Sequence, residues 1–336
     1  MKVKWHGETS EERKLNGGGP QGATFGIWEY LAQSNHSADC VNPEYRFKFV
    51  DDLSVLEKIN LLIIGLASIN PKISVPSDIP AHNQFIPSEH LESQGYLNNI
   101  KKWTDDQKMV LNEKKTKVMI FNFTDNYKFT TKLSLNTANL EIVQKTKLLG
   151  VILTDDLKWS ENTRELVKKA YSRMELIRKV ASFKPPIDDL KNIYMLYIRS
   201  ILEQSCVVWH NSLTEENSQD LERVQKAAVR IMLGEKYTDY ENGLMKVDLD
   251  KLNDRREHLC LKFAKNCINN EKTKDLFKMN EKTHNMEARN TEEFQVNHAN
   301  TGRLKDSSIP YMQRLLNSDA NKIKQDVIDR RIRRPG

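Results

Sequence analysis

The chain has 336 residues and a formal net charge of +6, and it is long enough for two or three compact units with their own cores. Its longest apolar stretch, residues 61–69, is too short to cross a bilayer, and the charged start Met1-Lys2-Val3-Lys4 lacks the apolar run of a signal peptide. Four widely spaced cysteines without a Cys-x-x-Cys pair support neither a disulfide framework nor a zinc site, so we expect an intracellular protein with reduced thiols.

The first sixty residues predict a loop, a helix and an acidic hairpin. The Gly17-Gly18-Gly19-Pro20 run indicates a loop, and the spacing of apolar residues predicts a helix over 22–34. In residues 46–56, apolar and β-tolerant residues on both sides of Asp51-Asp52 predict strand, turn and strand. Neighbouring residues on a regular strand point to opposite faces, so a tight turn is needed to aim both carboxylates at one hard cation such as Mg²⁺.

Three other Asp-Asp pairs have the same composition. Asp105-Asp106 lies in a helical pattern, and Asp188-Asp189 follows two prolines as at a helix start, so we interpret both as structural. Asp155-Asp156 ends an apolar β run and is predicted to be a second hairpin tip. Asp155-Asp156 is therefore the main alternative to Asp51-Asp52 as a metal site.

The middle of the chain mixes helix and strand signals. Residues 71–88 form a Pro- and Ser-rich loop, residues 91–110 have helical spacing, and residues 112–117 lead into a strand over 117–123. Further strands are predicted over 133–156. The fold class predicted for this half is α+β.

Beyond residue 158 the pattern becomes helical. Ser160 is predicted to cap a helix with one apolar face formed by Leu166, Ala170, Met174, Ile177 and Ala181. Further helices are predicted from Asp188 or Asp189 to about 209, from the cap Thr214 to Gly234, and over about 249–270. A short amphipathic piece follows at 309–316 and an arginine-rich end at 330–334, and we expect the chain from 271 onward to be poorly packed.

Residues 1–160 contain equal numbers of basic and acidic residues, so the second half carries the whole basic excess, a weak sign of nucleic-acid binding. The tryptophans Trp28, Trp103, Trp159 and Trp209 lie in apolar patterns and are predicted to be core residues rather than platforms for stacked bases.

The order of four segments resembles the reverse transcriptase of jockey-like non-LTR retrotransposons. These are Gly19-Pro20-Gln21-Gly22, Phe49-Val50-Asp51-Asp52, Asn112 to Phe121, and Leu148-Leu149-Gly150-Val151. The resemblance covers about residues 1–160, the helices that follow look like the thumb of that family, and residues 309–316 are similar to its tail. It implies a partial palm over 1–158 with a mixed β-sheet and helices, an all-α thumb-like bundle over 159–240, and a partly disordered tail over 241–336.

The resemblance also implies an activity, RNA-directed DNA polymerisation by two-metal nucleotidyl transfer, with Mg²⁺ as cofactor. The partners implied are an RNA template, a DNA primer and deoxynucleoside triphosphates, with no membrane. Asp51 and Asp52 match the metal-binding palm carboxylates, and Asp155-Asp156 then falls in the hairpin that grips the primer. The remaining matches are Lys115 near the triphosphate, and Gln21, Gly22 and Phe49 at the substrate.

Two features of the family pattern are not found in this chain. The family has a further metal-binding Asp on a strand before the Pro-Gln-Gly loop, where this chain has only the polar residues 1–16, and it has fingers that hold the template. We therefore expect a fragment that is inactive alone.

Two alternatives stay open. One is a non-catalytic nucleic-acid-binding or interaction module, with phosphate contacts from Arg164, Lys168, Lys169, Arg173 and residues 330–334. The other is a translated pseudogene product without a stable fold.

Overall fold

The computed structural model describes residues 4–5, 8–9, 39, 46–49, 52–55, 83–85, 91–123, 128–280 and 293–332. Contacts divide the chain into two compact units, residues 1–144 and residues 145–336. Helices and small two-stranded sheets occur together among the described residues, which confirms the predicted α+β class at that coarse level.

Unit 1 contains one described helix, α1 (Glu92–Asp106), and five strand pairs. The antiparallel pairs are β1 (Lys4–Trp5) with β2 (Glu8–Thr9), β3 (Arg46–Phe49) with β4 (Asp52–Val55), and β8 (Ser134–Leu135) with β9 (Ala138–Asn139). The parallel pairs are β5 (Asn83–Phe85) with β7 (Lys128–Thr130), and β6 (Lys117–Val118) with β10 (Glu141–Ile142). The strand predicted over 117–123 is therefore limited to two residues.

Helix α1 organises the described part of unit 1. Its buried Ile100 contacts Leu53 and Val55, which are two residues apart on β4 and therefore on one face of the strand. The side-chain amide of Gln94 donates to the backbone oxygen of Ser134 (3.0 Å) and accepts from its nitrogen (2.9 Å), which ties α1 to β8. The helix thus holds two strand pairs.

Unit 2 begins with a β-hairpin and continues as a helical bundle. The hairpin pairs β11 (Lys145–Leu148) with β12 (Val151–Thr154). The helices are α2 (Ser160–Ala181), α3 (Ile187–Tyr194), the π-helix Met195–Arg199, α4 (Ser200–Leu202), α5 (Cys206–Trp209), α6 (Glu215–Leu233), α7 (Tyr240–Val247), α8 (Leu252–Ile268), α9 (Gly302–Lys305) and α10 (Ser308–Ile332). Short 3₁₀ turns lie at His210–Ser212, Gly234–Lys236 and Lys274–Leu276.

The predicted apolar face of α2 is confirmed, and it packs against α6 and α3. Leu166, Ala170, Met174 and Ile177 are all at most 2% exposed. They recur at three- and four-residue spacing, so one stripe of the helix meets the bundle core.

The helix ends agree with the sequence prediction at α6 and differ from it at α2. The Thr214 hydroxyl accepts from the backbone nitrogen of Asn217 (3.2 Å), and Gly234 ends α6 with φ of +52°. Ser160, predicted as the cap of α2, is instead its first helical residue and makes no capping hydrogen bond. Its hydroxyl accepts from the Asn217 side chain (2.9 Å), so it links α2 to α6.

The helix predicted from residue 188 to 209 is interrupted. It passes into the π-helix Met195–Arg199 and ends with α4 at Leu202, and a turn in which Ser205 has φ of +52° separates it from α5. The helix predicted over 249–270 is α8, and α7 before it was not predicted.

A polar network crosses the bundle core. Tyr194, on α3, donates its hydroxyl hydrogen to the side-chain oxygen of Gln225 (2.6 Å). The Gln225 nitrogen donates to the Tyr240 hydroxyl and to the backbone oxygen of Asp250, each at 2.9 Å. Because both Tyr194 and Gln225 are fully buried, these bonds replace the water that the groups lose on folding.

A second core lies beyond residue 260, so the prediction of poor packing from residue 271 onward is wrong for its described members. Phe277, Phe294, Met312 and Leu316 are each at most 8% exposed and pack with Cys260, Ala264 and Cys267 of α8. Met312 and Leu316 lie in the amphipathic piece predicted over 309–316, whereas Phe277 and Phe294 stand in polar sequence. No local pattern therefore indicated that these segments pack together.

Two amides of α10 fasten the chain on either side of that core. Asn317 accepts from the backbone nitrogens of Glu293 (2.9 Å) and Phe294 (2.8 Å) and donates to the Phe294 oxygen (3.0 Å). One turn earlier, Gln313 donates to the Leu276 oxygen and accepts from the Asn297 nitrogen, each at 2.9 Å.

Among the helices in the described residues, none combines the length and the apolar composition that crossing a membrane requires.

Candidate metal centre and nucleic-acid interface

Strands β3 and β4 form the acidic hairpin that the sequence predicted. Phe49 pairs with Asp52 across the ladder, and Lys48 pairs with Leu53. Asp52 is therefore the first residue of the second strand, and only Val50 and Asp51 separate the two strands in sequence. Those two residues lie outside the described residues, as do Gln21 and Gly22.

The hairpin shares a small core with the segment that precedes Lys115. Leu53 follows Asp52 on β4, and Leu111 lies just before the Asn112 turn; both contact Ile100 of α1. The structure therefore brings two of the predicted site segments to one helix, although they are about sixty residues apart in the chain. This arrangement is confined to unit 1.

Lys115 lies exposed on a tight turn built by Asn112. Its backbone nitrogen donates to the side-chain oxygen and to the backbone oxygen of Asn112, each at 3.1 Å. The hydroxyl of Thr116 donates to the same backbone oxygen (2.9 Å). The Asn residue thus fixes the turn, and the Lys115 ammonium group is left in solvent.

In the competing acidic pair, Asp156 has a local structural role. Asp156 accepts from the Thr154 hydroxyl (2.7 Å) and from the backbone nitrogen of Lys158 (3.0 Å). Partial burial raises the pKa of Asp156, but the hydrogen bonds from Thr154 and Lys158 and the Lys158 charge outweigh it and leave the pKa below its usual value. The carboxylate is therefore held in the turn that leads into α2.

Metal-ligating side chains do not otherwise cluster in the part of the chain that the structure describes: no group of three or more His, Cys, Asp or Glu residues lies close enough together there to hold a metal ion. Cys206, Cys260 and Cys267 are buried and carry free thiols. Among the tryptophans, Trp159 and Trp209 are buried, which confirms the core prediction for these two.

Hairpin β11–β12, which the resemblance matches to a primer grip, turns through Leu149 and Gly150. Both residues have positive φ, +48° and +88°, as in a type I′ turn. A side chain at Gly150 would place its Cβ 2.5 Å from the Gln204 amide nitrogen. Val151 is buried against α2, and the nitrogen of Ile152 donates to the Asn162 side chain (3.1 Å), so the hairpin is anchored to the bundle.

The four cations predicted to contact phosphate lie on α2 but differ in availability. Arg164 pairs with Glu161, and Lys169 pairs with Glu165 at 3.4 Å, so a carboxylate already offsets each charge. Lys168 and Arg173 are exposed and form no salt bridge with another described residue.

Helix α6 has a basic outer face that was not predicted from the sequence. Lys226 and Arg230 are exposed one turn apart, opposite the stripe formed by Leu221, Val224 and Ala228. Neither cation has a carboxylate partner within the described chain. The sequence signal was present, because Lys226 and Arg230 have four-residue spacing and no acidic residue lies between them.

Comparisons with models of protein families, with curated proteins and with solved structures each found no match.

Proposed function

We propose that this chain is part of an RNA-directed DNA polymerase, the reverse transcriptase of a jockey-like non-LTR retrotransposon. The observation that carries the proposal is the packing of two motif segments on Ile100: the β3–β4 hairpin beside Asp51-Asp52, and the turn that presents Lys115. The four motif segments and their order supply the polymerase assignment.

The proposed residue roles follow from the chemistry of the side chains. Asp51 and Asp52 supply carboxylate oxygens, which fit a hard divalent cation, and two adjacent acidic residues at a two-residue connection suit a shared site. Mg²⁺, when bound, would activate the primer hydroxyl and stabilise the leaving pyrophosphate. Lys115, exposed on its turn, would offset negative charge on the triphosphate.

Localised cleavage by Fe²⁺, used in place of Mg²⁺, tests the metal site without requiring turnover. With ascorbate and peroxide, bound Fe²⁺ cuts the backbone near its ligands, and we expect cuts around residues 50–52 that excess Mg²⁺ suppresses. The double variant Asp51→Asn/Asp52→Asn should lose these cuts because an amide is a much poorer ligand for a hard cation.

The matched control is the double variant Asp155→Asn/Asp156→Asn, which changes the other acidic pair. Bound Fe²⁺ should cut this variant at residues 50–52, as it cuts the unaltered chain. Cuts centred on residues 155–156, or cuts at the hairpin that survive its double substitution, would contradict the proposal. Any extension of oligo(dT) on poly(rA) should likewise need Mg²⁺ and both hairpin carboxylates.

A second candidate is a nucleic-acid-binding module without polymerase chemistry. Lys226 and Arg230 on α6, with Lys168 and Arg173 on α2, favour it, because these exposed cations have no carboxylate partner among the described residues and can replace counterions on phosphate. RNA binding that falls steeply with salt, in a chain that shows no metal-directed cut at the hairpin, would favour this candidate over the first.

A further inference from the structure

A cavity of about 590 Å³ lies in unit 2, and none of its lining residues belongs to α6. Its walls come from the chain after α8, from residues 295–297, from α9 and from the start of α10. A volume of this size falls in the range of small-ligand sites, roughly 300–1,000 Å³. Neither the resemblance nor the proposed function assigns it a role.

Buried hydrogen bonds fix the shape of this cavity. Gln313 lines it, is 1% exposed, and joins the Leu276 backbone on one wall to the Asn297 backbone on another. The backbone nitrogen of Gln295 donates to the Lys278 oxygen (2.8 Å), which ties the same two segments together again. The backbone walls of the cavity are therefore fixed before a ligand arrives, which lowers part of the entropic cost of binding.

Two side-chain amides with no hydrogen-bond partner among the described residues line the cavity. Gln295 and Asn297 are exposed, and only their backbone groups are engaged in the bonds above. Each amide offers donors and an acceptor on one planar group. Amides of this kind form paired hydrogen bonds with the edge of a purine base, adenine in particular.

The remaining lining suits the flat faces of a base rather than a phosphate group. Leu304, Ile309 and Pro310 contribute apolar surface. Lys278 and Asp275 also line the cavity, and their opposite charges give it no net attraction for an anion. The chemistry is therefore that of an uncharged, planar ligand with hydrogen-bonding edges.

We infer that this cavity binds an unpaired adenine base of single-stranded RNA. The choice of RNA as the ligand rests on the proposed function, since RNA is the template of the proposed polymerase. Unpaired bases are the part of RNA that proteins read by edge hydrogen bonds and face contacts, whereas the base edges of a duplex are less accessible. The cavity would thus give the chain a contact with unpaired template that the bundle cations, which meet phosphate, do not supply.

The test measures binding of fluorescein-labelled r(A)₈ and r(U)₈ to the full chain by fluorescence anisotropy. Leu304→Trp places a larger side chain in the wall of the cavity and narrows it, and Gln295→Ala/Asn297→Ala removes the amides while keeping the backbone. Because Leu304 is 47% exposed, the tryptophan variant is expected to fold normally. We expect the unaltered chain to prefer r(A)₈, and each variant to weaken r(A)₈ binding about tenfold and to abolish the preference over r(U)₈.

Matched controls are Met245→Trp, at an exposed apolar position of α7, and Asn192→Ala, at an exposed amide of α3. Both should bind r(A)₈ as the unaltered chain does. Equal binding of r(A)₈ and r(U)₈, or r(A)₈ binding that the cavity variants leave unchanged, would overturn the inference. Fe²⁺ cleavage at the acidic hairpin is independent of this cavity, so the proposed function stands or falls separately.

Discussion

The least expected residue of the bundle is Arg256, whose side chain is fully buried on α8. Its Nε donates to Nδ1 of His210 (3.3 Å), and the guanidinium lies 5.9 Å from the ring centre of Trp209. Its Nη1 has no hydrogen-bond partner among the residues that the structure describes. Burial lowers the pKa of Arg256, because a charge in the protein interior loses its hydration.

The Arg256–His210 contact predicts a dependence of stability on pH. His210 must be neutral to accept from Arg256, and burial, helped by the Arg256 charge, lowers the pKa of His210 to about 4. An unfolded histidine titrates near 6.5, so the unfolded chain binds more protons between pH 6.5 and 4. The contribution of neutral His210 to the free energy of unfolding is therefore fully present above pH 6.5. It is lost as the pH falls to 4, and the loss is roughly 3 kcal/mol.

Urea unfolding of unit 2 at several pH values between 7 and 4 measures this loss. His210→Asn keeps an acceptor for Arg256 but cannot be protonated, so its free energy of unfolding should fall less over the same interval. Parallel curves for the two proteins would show that His210 titrates as in solution.

The burial of Arg256 could not be predicted from the sequence. It lies in the run Asp254-Arg255-Arg256-Glu257-His258, whose composition is typical of a solvated face. The partners that bury it, His210 and Ser218, are 46 and 38 residues away. Tertiary contacts over such separations override the local signal.

At the scale of elements, predictions succeeded where one local pattern decides the structure. The apolar spacing of α2 and the Thr214 cap of α6 are local signals, and both are confirmed. Helix α7 was missed because Gly243 lies within it, although Asp239 caps it by accepting from the Asn242 nitrogen (2.9 Å). A Cβ at Gly243 would lie 2.8 Å from Val229, so the glycine permits close packing on α6.

The β11–β12 turn carries a prediction at this scale. Gly150→Ala should destabilise unit 2 by about 1–3 kcal/mol, because alanine is strained at positive φ and its methyl group would meet Gln204. Gly302→Ala is the matched control, since glycine there has open space around it and a helical position. Chemical denaturation compares the two variants with the unaltered chain.

An unchanged midpoint for Gly150→Ala would mean that the turn relaxes at no cost. The Gly302 variant should be neutral or slightly more stable, because alanine has the higher helix propensity.

At the scale of the whole molecule, charge and packing concentrate in the second half of the chain. Unit 2 contains the helical bundle, both buried amides of α10 and the basic face of α6. Asp51 and Asp52 fall in unit 1, and the structure describes only Asp52 of the two. The types of residue and their order in the sequence indicated the candidate metal site. Whether a cation is free to bind phosphate depends on its salt bridges in the folded chain, and a single sequence does not show them.

The salt dependence of RNA binding tests this distribution of charge. Removing two cations that bind phosphate should reduce the slope of log affinity against log salt by about 1.4–1.8 units. We expect that change for Lys226→Gln/Arg230→Gln, whose cations have no carboxylate partner among the described residues.

Arg164→Gln/Lys169→Gln removes the same net charge from α2, where Glu161 and Glu165 already pair with the cations. This control should change the slope much less. Equal slopes for the two double variants would show that overall charge, rather than the α6 face, governs binding.

Because of the two buried amides of α10, Gln313 and Asn317, the second core of unit 2 cannot fold without the last part of the chain. A product that stops before Gln313 would lose the side chain that pairs with the Leu276 and Asn297 backbone groups, together with Leu316, which packs in the core with Phe277 and Phe294. Exposed aromatic side chains favour self-association. Early termination of translation would therefore yield an aggregating polypeptide rather than a shorter working one.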